Sequence, residues 1–531
     1  ERALHELYLP SFRAAVEAGV GSVMTAYNRV NGTYMSEHRS LLRDVLKDEY
    51  EFDGFVVSDW WGTESTVNAA SAGLDVEMPG DIDPYDDLPS EELPDDADPE
   101  DIEFPDILPS MDKGGLFGEP LHEAVEAGEI DEATIDEMVN RVLRTMERFG
   151  ILDGDRTNGA LDTPEHRRLA RRIAIEGTVL LKNDGTLPLD DDAVALIGPN
   201  ADTAKLGGGG SSEVSPFTQT SPLNGFRERA ATVSFERGVP PITESSLFDA
   251  FTADDDTADE PDVSLEDAVA AAETADCAVV VVQDDTTEGT DRETLGLPGG
   301  QDELVEAVAD AAERTVVVLR TSGPVTLPWV EDVNAVVETW YAGQADGDAL
   351  AAVLYGDDDP GGRLPVTFGR RAVDYPTNTP ERFPGDDVVE YDEGVFVGYR
   401  YFDREGIDPV FPFGHGLSYT SFEYGEPITE RDEEQVVLTV PVHNTGERSG
   451  TEVVQVYVHE DETAVQRPDR ELKGFAKIRL DAGERKRTSV VLDHDAFAHY
   501  DDGWTVSPGT FTLLVGRSSR DIRGEVTVEM S

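Results

Sequence analysis

The sequence predicts a multidomain α/β plus β protein: two successive α/β units, then an antiparallel β-sandwich of about immunoglobulin size. Three observations carry that expectation. Helix and strand signals alternate over residues 1 to 78, as in a parallel α/β unit. The alternation resumes at Pro164. After Leu417, helix signal gives way to alternating strands broken by turns. With 531 residues the chain has room for roughly three or four domains, and 39% hydrophobic content suffices for their cores.

In chain order, Leu4, Leu7, Tyr8, Phe12 and Val16 recur at helical spacing, interrupted by Pro10 and closed by Gly19. Ser22 to Tyr27 reads as a strand and Asn28 to Thr33 as a polar loop with an Asn31-Gly32 turn. Glu37 to Lys47 reads as a helix, Gly54 to Asp59 as a strand and Ser65 to Gly73 as a helix. Residues 81 to 112, dominated by Asp, Glu and Pro, read as an acidic insertion with no chemistry of their own. Helical stretches Glu119 to Ala127 and Asp131 to Arg148 end a first domain, 1 to 150, and a polar linker spans 151 to 165. A second domain, 166 to 370, carries a helix from Pro164 to Glu176. Its strands are Thr178 to Lys182, Val194 to Ile197, Ala278 to Val282, Val316 to Leu319 and Ala335 to Thr339, read as a parallel sheet. Gly, Pro and aromatics without a period mark a packed linker, 371 to 416. The last domain, 417 to 531, has strands at Gln435 to Val442, Glu452 to His459, Thr488 to Leu492 and Thr510 to Val515.

The charge balance is extreme: Asp+Glu 111 against Lys+Arg 42, a formal net charge of -69. Nucleic acid and anionic membrane are excluded as partners by repulsion. Apolar runs along most of the chain oppose a disordered acidic polymer. Basic residues that are overwhelmingly Arg point to the solvated surface of a halophile's protein, which should unfold in low salt through self-repulsion. Cys277, the only cysteine, lies in an apolar strand and reads as packing; no disulfide, metal site or cofactor is expected. No stretch approaches the length of a transmembrane helix. The chain starts at Glu1-Arg2-Ala3, inside an amphipathic pattern without Met, cap or leader, so Glu1 is not expected to be the natural beginning.

Chemistry is suggested where a buried strand ends in polar residues. In Gly-Phe-Val-Val-Ser-Asp-Trp-Trp, residues 54 to 61, Asp59 stands at the carboxyl end of an apolar run, the side on which parallel α/β folds build their sites; alternatively it caps the next helix. Glycoside hydrolysis needs two carboxylates, about 5 Å apart when one is a nucleophile. A second candidate follows Ala278 to Val282 in the loop Gln283 to Arg292, which contains Glu288; the bland alternative is an idle charged loop. Gly207 to Gly210 with Ser211-Ser212 invites comparison with a phosphate loop but lacks the following Lys-Ser/Thr.

Several long motifs, in order along the whole chain, resemble the β-glucosidase type of glycoside hydrolase family 3. They are Gly54 to Trp60 with Ala72-Gly-Leu-Asp-Val-Glu-Met-Pro79; Glu288-Gly-Thr-Asp-Arg292 with Leu297-Pro298 and Gln301; and Tyr391 to Phe402 with Phe411-Pro-Phe-Gly-His-Gly-Leu-Ser-Tyr419. Ala26 to Gly32, Leu180 to Asn183 and Leu472 to Phe475 add to them, and Gly207 to Ser212 is similar to the family's Gly-Gly-Gly-Ser loop.

The resemblance implies the C-terminal part of a TIM-like (β/α) barrel, an α/β sandwich domain and a fibronectin type III-like β-sandwich. It implies a retaining exo-acting β-glucosidase with Asp59 as nucleophile and Glu288 as acid/base, Tyr27 beside the nucleophile, and Trp60 stacking on sugar. Proximity of the two carboxylates should keep Asp59 ionised and Glu288 protonated. By the same comparison His415 is a structural residue of the linker. The family's earlier barrel strands and their Asp, Arg and Lys-His groups, which hold the glycone, have no counterpart before Glu1. The resemblance therefore implies a fragment, an inactive remnant or carbohydrate-contacting module, or a homodimer or companion chain that supplies the other barrel part. β-Xylosidase is the neighbouring activity.

Overall fold

In a computed structural model of the chain, the described residues are 1–80, 115–152, 154, 159–190, 192–243, 263–385, 387–432, 435–463 and 465–530. The acidic stretch 81 to 112 and residues 153 and 155–158 of the 151 to 165 linker lie outside them. The chain divides into two compact units: Leu4–Ala160 with Phe251–Ala253, and Glu1–Ala3 with Leu161–Ala250 and Asp254–Ser531.

In the Leu4–Ala160 unit, a π-helical turn, Leu4–Tyr8, runs into α1 (Leu9–Glu17). Pro10 does not break this segment, because it occupies the first turn of α1, where an N–H would have no intrahelical partner. β1 (Ser22–Met24) is shorter than expected: Thr25 still donates to Val57 O at 2.9 Å, and the chain then leaves the sheet. The expected loop at Asn28 is a hairpin of β2 (Arg29–Val30) and β3 (Thr33–Tyr34), too short to show a period. Its turn residues Asn31 and Gly32 have φ of 50° and 85°, the left-handed pair such a turn requires. The helix expected over Glu37 to Lys47 is a 3-10 turn, Met35–Glu37, and a π-helix, Ser40–Glu49; the apolar spacing of Leu42 and Leu46 does not distinguish these geometries. β4 (Phe55–Trp60), α2 (Thr66–Ala72), β5 (Val76–Met78), α3 (Glu119–Glu126) and α4 (Glu132–Arg148) follow. β1, β4 and β5 form a parallel sheet with β4 in the middle. Its core is Leu42, Leu46, Phe52, Val56, Ala69 and Leu74.

Two devices hold β4, and hence the residues at its end. At its start, Arg141 of α4 donates to Phe52 O at 2.8 Å and Gly54 O at 2.9 Å, and a β-carbon on Gly54 would fall 2.3 Å from Gly21 O. Alongside, the buried Lys47 ammonium donates to Asp75 Oδ1 at 2.9 Å, Asp75 Oδ2 at 2.8 Å and Gly73 O at 2.7 Å. Asp75 Oδ2 also accepts from Val56 N–H at 2.8 Å. Burial presses the lysine pKa down and the aspartate pKa up, and each charge opposes the shift in the other. All three ammonium donors find oxygen, the condition under which a buried pair is tolerated.

The other unit carries α5 (Pro164–Gly177), β6 (Val179–Asn183), β7 (Ala193–Ile197), α6 (Pro222–Arg229), β8 (Thr232–Glu236), α7 (Leu265–Thr274), β9 (Cys277–Gln283), α8 (Gln301–Ala311), β10 (Thr315–Arg320), β11 (Ala335–Glu338) and α9 (Asp346–Leu354). Six strands form one sheet in the order β6-β11-β10-β9-β7-β8, with apolar clusters on both faces. The parallel expectation needs correction: β6 runs antiparallel to β11, while the other pairings are parallel. An apolar strand buried on both faces has the same pattern in either direction, and an antiparallel edge is common on such sheets. β8 was not expected because it is the opposite edge, exposed at Thr232 and Ser234.

The following linker contains a 3-10 turn, Ala372–Asp374, and a helix not anticipated, α10 (Tyr399–Glu405). Gly362 N–H donates to Thr178 O at 2.9 Å, Leu417 N–H donates to Leu180 O at 2.8 Å, and His415 Nε2 meets Leu181 O at 2.8 Å. These contacts occupy the outer edge of β6. The sandwich then comprises β12 (Phe422–Tyr424), β13 (Ile428–Arg431), β14 (Gln435–Asn444), β15 (Gly450–Glu460), β16 (Glu471–Leu480), β17 (Arg485–Asp493), β18 (His499–Tyr500), β19 (Trp504–Thr505), β20 (Gly509–Ser518) and β21 (Asp521–Met530). One sheet runs β12-β14-β13 with β17 on β14, the other β16-β15-β20-β21. β16 and β21 escaped notice because charged side chains on their exposed faces thin the apolar period. Glu452 of β15, fully buried, accepts from Arg363 at 2.8 Å and forms an ion pair with Arg517 of β20 at 2.8 Å, joining the sandwich to the segment that precedes the linker.

Candidate active site

Asp59 lies at the carboxyl end of β4, half-buried, with Oδ1 accepting from Trp60 N–H at 2.7 Å. The strand turns sharply there. Trp61 has φ 57° and donates to Met78 O at 2.9 Å, and Gly62 N–H donates to Asp59 O at 3.0 Å. Ser58 Oγ accepts from Met78 N–H at 2.9 Å, tying the same end to β5. The alternative that Asp59 caps the next helix fails, since Ser65 occupies that position of α2. Trp60 is 48% exposed, with its ring centroid 5.6 Å from that of Trp61. Tyr27 is half-buried in the segment leaving β1, the neighbour of β4.

Glu288 belongs to the other unit, on the loop after β9. The base of that loop is a buried polar hub. Asp284 Oδ1 accepts from Tyr341 OH at 2.7 Å, and Oδ2 accepts from Ser322 N–H and Oγ, both at 2.8 Å, and from Thr286 Oγ1 at 3.0 Å. Gln301 clasps Gln283 with two bonds, donating at 2.8 Å and accepting at 2.9 Å. Arg292 is half-buried and donates to Pro324 O at 3.3 Å, whereas Asp291 is exposed.

From this base the loop carries Glu288 outward, exposed, where its Oε2 accepts from the N–H and the hydroxyl of Ser211, the latter at 2.6 Å. Those two donors hold the carboxyl below its ordinary range, with burial opposing them. That is contrary to the protonated Glu288 expected from the sequence. Ser211 was missed as a partner because it lies in a different loop, far away in sequence; the only signal was the serine following the glycine run.

The remaining candidates behave structurally. His415 stacks on Phe411 with centroids 5.4 Å apart, and burial lowers its pKa. Cys277 is fully buried, which pushes its thiol up to about 12. Among the described residues no group of His, Cys, Asp and Glu could hold a metal ion, and no helix is long and apolar enough to cross a membrane.

Comparison with known proteins agrees with this architecture. Residues 1–88 match the glycosyl hydrolase family 3 N terminal domain, 178–419 the glycosyl hydrolase family 3 C-terminal domain, and 452–519 a fibronectin type III-like domain. The chain is 38% identical to thermostable beta-glucosidase B of Acetivibrio thermocellus, over 98% of this chain and 65% of that protein. It is 33% identical to a beta-glucosidase of Rhizobium radiobacter, over 100% of this chain and 79% of that one. It is 35% identical to an exo-alpha-(1->6)-L-arabinopyranosidase of Bifidobacterium longum, over 100% and 66%. Among solved structures, the beta-glucosidase DesR of Streptomyces venezuelae in complex with D-glucose superposes with a TM-score of 0.87 at 32% identity, over 100% of this chain and 79% of that one. The chain thus spans between about two thirds and four fifths of these relatives' lengths, and it belongs to glycoside hydrolase family 3.

Proposed function

We propose that the chain acts as a retaining, exo-acting β-glucosidase on terminal β-glucosides. Asp59 attacks the anomeric carbon while Glu288 protonates the departing oxygen, giving a covalent glycosyl-enzyme and a free aglycone. Glu288, now ionised, takes a proton from water, whose oxygen displaces Asp59 and restores the original configuration. Trp60 offers an exposed indole face for the sugar, and Tyr27, in the segment leaving the neighbouring strand β1, is read as the aromatic beside the nucleophile. The observation that carries this reading is Asp59: a half-buried carboxylate at the carboxyl end of a central parallel strand, free of any capping duty. The acid excess is read as adaptation to high salt, with neither nucleic acid nor membrane as partner.

The test is release of p-nitrophenol from aryl β-glucoside, with β-xyloside and α-L-arabinopyranoside as competing substrates. Asp59→Ala should abolish release, and retained turnover would remove Asp59 from the nucleophile's role. Glu288→Ala should spare the first step for substrates with good leaving groups, slow the second, and recover with azide through a glycosyl azide. No adduct and no rescue would remove Glu288.

A further inference from the structure

The contact between Ser211 and Glu288 is built rather than incidental. Gly210 has φ 62°, and a β-carbon there would lie 2.3 Å from Glu288 Oε2 and 2.5 Å from Glu288 Cβ. One residue earlier, Gly209 has φ 69°, and its β-carbon would lie 2.8 Å from Thr287 Oγ1. The glycine run is therefore the shape that lets one loop close onto the other. Ser212 Oγ donates to Gly209 O at 2.8 Å and sets the 3-10 turn Gly210–Ser212, from which Ser211 presents both its N–H and its hydroxyl to a single carboxylate oxygen.

Two donors on one oxygen favour the charged carboxylate. No charged side chain among the described residues figures in the shift: the causes are the Ser211 hydroxyl, then its N–H, with burial against them. A proton on Oε2 would meet an N–H that cannot turn round, whereas a hydroxyl can rotate to accept. A proton carried on Oε1 instead leaves Oε2 to accept both bonds, more weakly than a carboxylate oxygen does, so the contact favours Glu288 as proton acceptor and weakens, without breaking, when Glu288 carries the proton.

We propose that Ser211 is a positioning residue that orients Glu288 and favours the ionised form needed to deprotonate water in the second step. This rests on the reading of Glu288 as acid/base. The step adds no new reactant: the proton gained from water in one half-reaction is the proton given to the leaving oxygen in the next.

The direct test is a carbon-13 NMR titration of protein labelled at the glutamate carboxyl carbon, with the Glu288 signal identified by its loss in Glu288→Gln. Ser211→Ala should move its midpoint up by about one pH unit, and Ser211→Thr, which keeps both donors, should leave it in place. An unmoved midpoint in Ser211→Ala overturns the proposal. A kinetic arm separates this from the reading beneath it. The basic limb of kcat/KM for p-nitrophenyl β-glucoside should rise with the midpoint, since the acid form then persists to higher pH. A midpoint that moves while the limb stays would remove Glu288 from the acid/base role and leave the Ser211 contact standing.

Discussion

Glu338, at the end of β11, is wholly buried, and burial raises its pKa to about 8. Its Oε1 accepts from Trp340 N–H at 2.7 Å and its Oε2 lies 2.8 Å from Thr321 Oγ1. Because the Thr321 hydroxyl can donate to Gly323 O at 2.9 Å, it is free to accept from a protonated Glu338. Between about pH 4.5 and about 8 the folded protein binds a proton here that the unfolded chain has lost, so stability falls as pH rises through that window and levels off above it. At 1.36 kcal/mol per pH unit, the loss is on the order of 5 kcal/mol. Glu338→Gln keeps the shape and offers an amide in place of the acid proton, so it should abolish the slope: equal stability near pH 4.5, and a variant more stable than its parent at pH 8. Cys277 provides the assay, being the single cysteine and buried in β9 of the same sheet. Its labelling rate with an aromatic disulfide, followed against pH at constant high salt, reports opening of this sheet. Groups that titrate in both proteins cancel in the difference, and exposed carboxylates are screened. Parallel pH profiles for parent and variant would refute the assignment of a neutral Glu338.

Two further predictions concern stability. Asp75→Asn leaves the Lys47 ammonium buried without its counter-charge and should cost the Leu4–Ala160 unit about 3–5 kcal/mol, read as a fall in the denaturant midpoint; replacing both with apolar residues of similar size should cost far less. Dilution from molar to roughly 0.01 M salt lengthens the screening distance from about 3 Å to about 30 Å. With a formal charge of -69, the far-ultraviolet circular dichroism should then collapse, and a spectrum unchanged by dilution would contradict the halophilic reading.

What the sequence disclosed follows from where signals are local. Phe55 to Asp59 announces itself because three apolar residues give way, across Ser58 alone, to a carboxylate, and β9 and β10 because Val-rich runs have no other use. Strand direction is not local: β6 has the same apolar face whether it runs with β11 or against it. Nor are edges, since β8, β16 and β21 dilute their pattern with solvated residues. The π geometry at Ser40–Glu49 differs from an α-helix by less than the spacing of two leucines can report. For the candidate site, motifs pointed to both carboxylates. The partner on Glu288 was illegible because that contact depends on two loops meeting in space, and it alters the protonation that the motif alone would assign.

The seal on the outer edge of β6 bears on how the polypeptide can be cut. Thr178 O and Leu180 O are satisfied by the segment from Gly362 to Leu417 rather than by water. A protease nick that freed this segment would uncover a row of hydrogen-bonding groups on an apolar strand, a template for another chain. Expression of residues before Gly362 alone should therefore give a sticky, self-associating product, and the strap together with the sandwich it leads into serves as a built-in guard against aggregation.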